Sequence, residues 1–245
     1  MTVYIVGCNG YIGRSVKEYL EEREYPVKGI GRGNALPMGF NYRDVVINCA
    51  AKGWKDGDED PIEVADTNVV LPMELEKRRN GAVMIHLSSG IELVQPGHFY
   101  AATKAVASQM LKGRAHVLYL YTIFGGKHVQ MKRFMSSLMQ ACAKDEPYCL
   151  ETPYHTRDFI HIDRLLTLIE SLIYDREYKT LHVGSGRPTA MVDAYRMLRE
   201  IAGKRFPNVT VNAADRTSFI YYSPEETLPD TLYEDMAKEW AIVNA

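Results

Sequence analysis

Tyr100 and Lys104 stand four apart in Phe99-Tyr100-Ala101-Ala102-Thr103-Lys104, a spacing that puts both on one face of a helix. A free tyrosine, with a pKa of ~10, is a poor acid or base at neutral pH. A neighbouring ammonium favours the phenolate and lowers that value, which makes the pair a candidate proton-transfer device. Upstream, Leu87-Ser88-Ser89-Gly90 closes an apolar run where a hydroxyl can hydrogen-bond a substrate oxygen. Ser89 is therefore a third candidate catalytic group, with Ser88 beside it as a substrate contact. Tyr and Lys four apart also occur on ordinary surface helices. What singles out this pair is its place after a strand ending in Ser-Ser, in a chain that opens with a glycine loop.

That loop is Gly7-Cys8-Asn9-Gly10-Tyr11-Ile12-Gly13, between an apolar strand, Val3 to Val6, and a helix starting near Tyr11. Glycines permit a tight turn and close approach of backbone to a pyrophosphate, and the helix N-terminus offers N–H groups and partial positive charge. A dinucleotide site is expected here, lined by Gly7, Asn9, Gly10, Tyr11, Ile12 and Gly13. Lys104 would hold the nicotinamide ribose as well as tune Tyr100. Dinucleotide folds often place an acid after the second strand to hold the adenosine ribose. Here that stretch reads Gly29-Ile30-Gly31-Arg32-Gly33-Asn34, without an acid. Arg32 can instead meet a 2′-phosphate, so NADP is preferred and NAD is the alternative.

The elements that must carry these residues alternate. Strand-like runs at Val3–Val6, Val27–Ile30, Val45–Cys49, Val83–Leu87 and Val117–Tyr121 are separated by helical patterns at Tyr11–Glu24, Val69–Arg79 and Tyr100–Leu111. Such alternation specifies an α/β fold of Rossmann type, a doubly wound parallel sheet. Beyond it lie a helix over Val129–Lys144, a strand at Phe159–Ile162, a helix over Leu165–Ile173 with Asp163 as its cap, a strand at Leu181–Val183, and a helix from Met191 to Ile201. After Phe206 the pattern thins, and Thr217 to Pro229 reads as loop. Residues 1–125 with 160–184 are expected to form the dinucleotide-binding domain. Residues 126–159 with 185–245 are expected to form a small α/β substrate-binding annex. His161 is expected to be a hydrogen-bonded core residue, the methionines Met131, Met135 and Met139 helix packing, and Tyr221-Tyr222 packing as well.

Composition excludes more than it selects. A formal net charge of −2 gives no basic excess for a nucleic-acid partner. No apolar run reaches the ~18 residues that span a bilayer, and Met1-Thr2 leads straight into a strand, so neither membrane nor leader is expected. Cys8, Cys49, Cys142 and Cys149 form no C-x-x-C pair; buried free thiols in a reducing cytoplasm, and no metal, are expected.

Taken in order, these segments resemble the extended short-chain dehydrogenase/reductase family, in particular its NAD-dependent epimerase/dehydratase group acting on nucleotide sugars. GCNGYIG is similar to the group's glycine loop, HLSSG and YAATK to its catalytic Ser, Tyr and Lys, and LYLYTIFGG to its fifth-strand motif. VQMKRFMSSLMQACAKDEP resembles its substrate-domain helix, and HVGSGRPTAMVDAYRMLREI its late strand and helix. The resemblance implies that Cys49, Ala50 and Ala51 of INCAA pass the cofactor, and that Asn68, after Asp60-Pro61, stands near it. RDFIHID resembles a stretch whose Arg reaches a nucleotide diphosphate, which assigns that contact to Arg157. Arg157 also follows the Thr152-Pro153-Tyr154 loop, and a guanidinium matches phosphate oxygens as a lysine does not. Its structural alternative is a tie to Asp158 or Asp163. The sequence departs from the group at Tyr119, Thr122 and Gly126 in the fifth-strand motif, at Arg164, in a short Ser89–Tyr100 gap, and in a short tail. Gly90-Ile91 stands where dehydratases carry an acidic pair, with Glu92 one step late, which disfavours dehydration.

The expected activity is NADP-dependent reduction, or epimerisation through a keto intermediate, of a nucleotide-linked sugar. The alternatives are reduction of a small non-nucleotide carbonyl compound and dinucleotide sensing without turnover. A homodimer is compatible with each.

Overall fold

The computed structural model describes residues 1–53, 60–128, 133–225 and 227–244. The chain runs β1 (Val3–Val6), α1 (Tyr11–Glu21), β2 (Val27–Ile30), β3 (Val45–Asn48), α2 (Pro61–Ala65), α3 (Leu71–Arg78), β4 (Val83–Ser89), α4 (Ile91–Val94), α5 (Phe99–Leu111) and β5 (His116–Leu120). It continues through β6 (Thr122–Phe124), α6 (Phe134–Lys144), β7 (Tyr148–Leu150), β8 (Thr156–Arg157), β9 (Phe159–His161) and α7 (Ile162–Leu172). The last elements are β10 (Thr180–Val183), β11 (Thr189–Ala190), α8 (Met191–Ala202), β12 (Val209–Val211), β13 (Ile220–Tyr221) and α9 (Leu232–Val243). Two compact units result, residues 1–120 with 165–182 and residues 121–164 with 183–245.

The first unit is built on a six-stranded sheet of order β10-β5-β4-β3-β1-β2. β1 pairs in parallel with both β2 and β3, and the parallel ladder continues to β4 and β5. From β1 the chain goes first to one side and then to the other, so the sheet is doubly wound and its switch point lies between β1 and β3. β3 and β5 are buried along their whole length and β4 nearly so, as near-continuous apolar strands covered on both faces must be. Helix α1 buries Val16 and Leu20 on one side and exposes Arg14 and Glu21 on the other, the stripe that places a helix on a sheet.

The second unit has its own core, in which Phe124, Met135, Leu138, Phe159, Leu198, Leu232, Met236 and Trp240 meet. Its strands form three small sheets, β11-β8-β13, β12-β7 and β6-β9. β6 pairs with β9, and residues 121–125, 160–164 and 183–184, expected with the first unit, cluster with this one.

Several element boundaries differ from expectation for identifiable reasons. The helix expected at Val69 starts at Pro61, where the Asp60 carboxylate accepts from Ile62 N–H at 2.9 Å as its cap, and it passes through a π-helical turn over Asp66–Val70. Helix α7 begins at Ile162, so Asp163 lies inside its first turn and is not its cap; it faces Lys238 and His161 instead. Helix α6 is described from Phe134, and Val129 and Met131 lie outside the described residues. Met135 and Met139 are buried packing residues. The tail holds β12, β13 and α9, none of which was expected. Of the cysteines, none paired, Cys142 is buried, Cys8 and Cys49 are partly accessible, and Cys149 is exposed.

Candidate active site

The glycine loop leaves β1 in a conformation that only glycine fits. Gly7 has φ +81°, and a Cβ there would lie 2.7 Å from the Ala50 amide nitrogen. A Cβ on Gly13 would lie 2.2 Å from the Gly7 carbonyl oxygen. Gly10 N–H closes the turn on Gly7 O at 3.0 Å, and Arg14 N–H makes the first helical bond, to Gly10 O at 2.9 Å. Helix α1 has no side-chain cap and no acid in its first turn, so neither competes for the anion position at its N-terminus. This cradle fits a dinucleotide pyrophosphate. Asn9 packs against the end of β2, since a Cβ on Gly31 would meet its Nδ2 at 2.5 Å. Arg32 follows, exposed, with no hydrogen bond or ion pair to any described residue.

Across the switch point, β3 ends at Asn48, which is buried. Its side chain donates to His86 Nδ1 at 3.1 Å and accepts from Ala50 N–H at 3.2 Å, fixing the Cys49-Ala50-Ala51 turn beside the glycine loop. His86, buried on β4, is kept neutral by burial and secondarily by the charge of Lys104. Burial pushes the Cys49 thiol up to about 12, against the pull of Lys104.

The amide donors of Asn68 are engaged within the chain. They go to Lys52 O at 2.7 Å and Thr103 Oγ1 at 3.0 Å, and its oxygen accepts from Lys52 N–H at 3.0 Å. Thr103 donates in turn to Tyr100 O at 2.8 Å. Through these bonds Asn68 ties the chain after β3 to the first turn of α5.

Tyr100 lies partly exposed in that first turn, and Lys104 follows one turn later. Lys104 is only 1% exposed and donates to Leu87 O of β4 at 2.8 Å. Burial brings its pKa down from 10.5 to about 8, with Glu92 the main opposing influence; it remains an ammonium at neutral pH. Ser89 ends β4, partly exposed, and its Oγ accepts from Ile91 N–H at 3.4 Å. Ser88 is turned the other way, as the alternation of a strand requires. It is buried, with its hydroxyl donating to Glu92 Oε2 at 3.1 Å and lying 2.8 Å from Ser108 Oγ. Its expected role as a substrate contact is corrected accordingly.

In the second unit, Arg157 ends β8. Its guanidinium donates to Thr156 O at 2.9 Å and lies over the rings of Phe219, at 4.8 Å, and Tyr221, at 5.9 Å. It pairs with neither nearby aspartate. Asp158, fully buried, accepts from Ser185 N–H and Oγ, Gly186 N–H and Ser223 N–H at 2.9–3.2 Å. Burial lowers the Arg157 pKa, and no carboxylate among the described residues offsets it. Aromatic stacking orients the guanidinium while leaving its charge uncompensated. His161 is a buried, hydrogen-bonded core residue, 3.1 Å from Glu239.

Asn48, Thr103, Ser108 and Phe219 join the site without having been among the expected residues, as does Glu92, expected only in the place of an acidic pair. Asn48 carried a signal, an amide at the end of an apolar strand. The others carried none, because each depends on at least one partner 16 or more residues away in the chain.

A glycine cradle at the switch point of a doubly wound sheet, with Tyr and Lys one turn apart beside a strand ending in Ser, defines an extended short-chain dehydrogenase/reductase. Residues 3–184 match the model of the NAD dependent epimerase/dehydratase family, and the chain belongs to that family. The UDP-glucuronic acid 4-epimerase from Bacillus cereus, solved with NAD, has a TM-score of 0.74 at 16% identity, over 99% of this chain and 96% of that one. MoeE5, solved with UDP-glucuronic acid and NAD, has a TM-score of 0.77 at 19% identity, over 100% of both chains. RMD from Pseudomonas aeruginosa, solved with NADPH, has a TM-score of 0.73 at 15% identity, over 99% of this chain and 98% of that one. At these identities the likeness is one of fold.

Proposed function

We propose that this protein is an NADP-dependent oxidoreductase that reduces a nucleotide-linked keto-sugar, or epimerises one through a keto intermediate, with Ser89, Tyr100 and Lys104 as its catalytic residues. The observation that carries the reading is the buried Lys104 ammonium, fixed on Leu87 O at 2.8 Å one helical turn from Tyr100. The nicotinamide, when bound, supplies or accepts the hydride. Ser89 orients the substrate oxygen. Tyr100 gives that oxygen its proton in reduction and takes it in oxidation. Lys104 holds the ribose and, by its charge, favours the Tyr100 phenolate. Gly7, Asn9, Gly10, Tyr11, Ile12 and Gly13 cradle the pyrophosphate, and Cys49, Ala50 and Ala51 border the cofactor.

Arg32, exposed and without a partner among the described residues, supports the choice of NADP, since a 2′-phosphate would find an uncommitted guanidinium there. The uncompensated Arg157 supports a nucleotide diphosphate as the substrate handle. That two structural neighbours were solved with UDP-glucuronic acid agrees with this substrate class. The test is a thermal-shift panel of UDP, dTDP, GDP and CDP, each with and without NADP. A ligand that binds only the folded state raises its melting midpoint. A shift with one diphosphate at millimolar concentration is expected. If none shifts the midpoint while NADP does, the substrate is instead a small non-nucleotide carbonyl compound.

A further inference from the structure

Glu92 is 5% exposed, an unusual place for a carboxylate. Its Oε2 accepts from Ser88 Oγ at 3.1 Å and Ser108 Oγ at 3.2 Å, and the Tyr119 hydroxyl of β5 acts on it as well. Four elements, α4, β4, α5 and β5, thus converge on one carboxylate. No step of the proposed reaction uses it, and burial raises its pKa against the help of those three hydroxyls.

Its place relative to α5 suggests what it does. Tyr100, Lys104 and Ser108 recur every four residues and share one face of that helix. Ser108 holds the face to Ser88 and Glu92, and Lys104 holds it to Leu87 O on the same strand. Tyr100 is the next residue along the face. The knot around Glu92 therefore sets how the catalytic face lies against the end of β4.

The charge accounting around Lys104 points the same way. Among the described residues, the titratable groups coupled to it are Glu92, Cys49 and His86. His86 is neutral, and the Cys49 thiol, pushed up to about 12, stays protonated. Tyr119, which faces Glu92 from β5, is likewise pushed up to about 12 by burial and by Glu92. Glu92 is left as the counter-charge of the buried ammonium.

We propose that Glu92 is a positioning residue of the reaction: its carboxylate locks the Tyr100–Lys104 face of α5 against the end of β4 and is the counter-charge that keeps Lys104 protonated. The proposal rests on the reading of Tyr100 and Lys104 as catalytic. Removing the charge makes Lys104 release its proton at lower pH, and Tyr100 then loses the positive charge that favours its phenolate.

The experiment follows NADPH affinity, and NADPH oxidation with a UDP-linked 4-keto-sugar, from pH 6 to 10 in wild type, Glu92→Gln and Glu92→Asp. In wild type both should fall along a limb near pH 8, the value to which Lys104 is brought. Glu92→Gln should move that limb down by about one unit or more, the usual effect of a nearby charge. Glu92→Asp keeps the charge and should keep the limb while its rate falls. A role in packing alone would lower the melting midpoint and the rate at every pH and leave the limb in place, which overturns the proposal. If Glu92→Gln does not fold, 13C NMR titration of the wild-type glutamate carboxyls decides. A Glu92 carboxyl, assigned by its change in Glu92→Asp, that is still protonated at pH 8 overturns the proposal, and one ionised below the limb supports it. Wild type that binds no NADPH at any pH overturns the site reading and this proposal together. Wild type that binds with an alkaline limb unmoved in Glu92→Gln overturns only the role of Glu92.

Discussion

Adding one methyl group at Gly13 should disable cofactor binding, and the structure gives the size of the effect. The new Cβ would lie 2.2 Å from the Gly7 carbonyl oxygen and 2.8 Å from its carbon. Ordinary contact between such atoms is 3.4 Å or more, so the atoms must separate by about 1 Å. Gly7 has no freedom to retreat. Its N–H is bonded to Ile30 O at 2.8 Å, and the space a Cβ on it would take is already filled by the Ala50 backbone. The N-terminus of α1 must therefore move, although Val16 and Leu20 are buried without residual exposure. Forcing a group into such packing costs about 1–3 kcal/mol, which should appear as a lowered denaturation midpoint in the absence of cofactor. The displaced N–H groups would also lose their alignment with the pyrophosphate. Hydrogen bonds to charged groups are worth about 1.5–3 kcal/mol each, so losing one weakens NADPH roughly ten- to a hundredfold. Gly39→Ala is the control, because its Cβ would find only the Arg78 carbonyl oxygen, at an ordinary 3.7 Å. Fluorescence titration with NADPH and urea denaturation check both numbers. A Gly13→Ala protein that binds NADPH within twofold of wild type, with an unchanged midpoint, would refute the argument.

Three further outcomes are expected. Tyr100→Phe should lower turnover by about 10²–10⁴, the usual worth of general acid–base catalysis, and leave NADPH affinity nearly unchanged; retention of more than about a tenth of the activity in steady-state assays sinks its assignment. NADPH should bind more tightly than NADH by about ten- to a hundredfold, with Arg32→Ala erasing the difference; equal affinities by calorimetric titration would point to NAD. Arg157→Lys should lose nucleotide-diphosphate affinity while keeping NADP affinity and the wild-type melting midpoint, since an ammonium reproduces neither the fork nor the stacking on Phe219; a lowered midpoint with diphosphate binding intact would make Arg157 a structural tie.

Much of the first unit was legible because its strands are apolar runs and its helices carry a clear stripe. The glycine loop was legible for the same reason, since its place between β1 and α1 gives the glycines a task. The misses have a common physical origin. Asn68 could be located near the site, but its job lies in bonds to Lys52 and Thr103 that no local pattern encodes. Ser88 and Ser89 look equivalent as letters, and only the two-residue period of β4 separates a buried hydroxyl from the one at the site. The alternative tie of Arg157 to Asp158 finds no support among the described residues, because the aspartate is taken by Ser185, Gly186 and Ser223 while the guanidinium lies over Phe219 and Tyr221. Helix α9 did carry a stripe, with Leu232, Met236 and Trp240 at helical spacing and all buried. The Ser-, Pro- and Glu-rich stretch before it masks that stripe in the sequence.

The interleaving of the two units has a consequence for how the protein is made. The chain leaves the first unit after residue 120 and returns to it at residue 165. β10, the strand beside β5, is not available until residue 183 has been synthesised. At ~5–20 residues per second, a nascent chain spends several seconds with β5 as a bare sheet edge. That edge, His-Val-Leu-Tyr-Leu, is wholly buried in the finished molecule, and an unpaired apolar edge is a template for pairing with other chains. The second unit waits longer, because its core is not closed until Trp240 arrives. Yield on overexpression should therefore be limited by crowding of nascent chains, and lower temperature or more abundant chaperones should raise it without any change in the stability of the native protein.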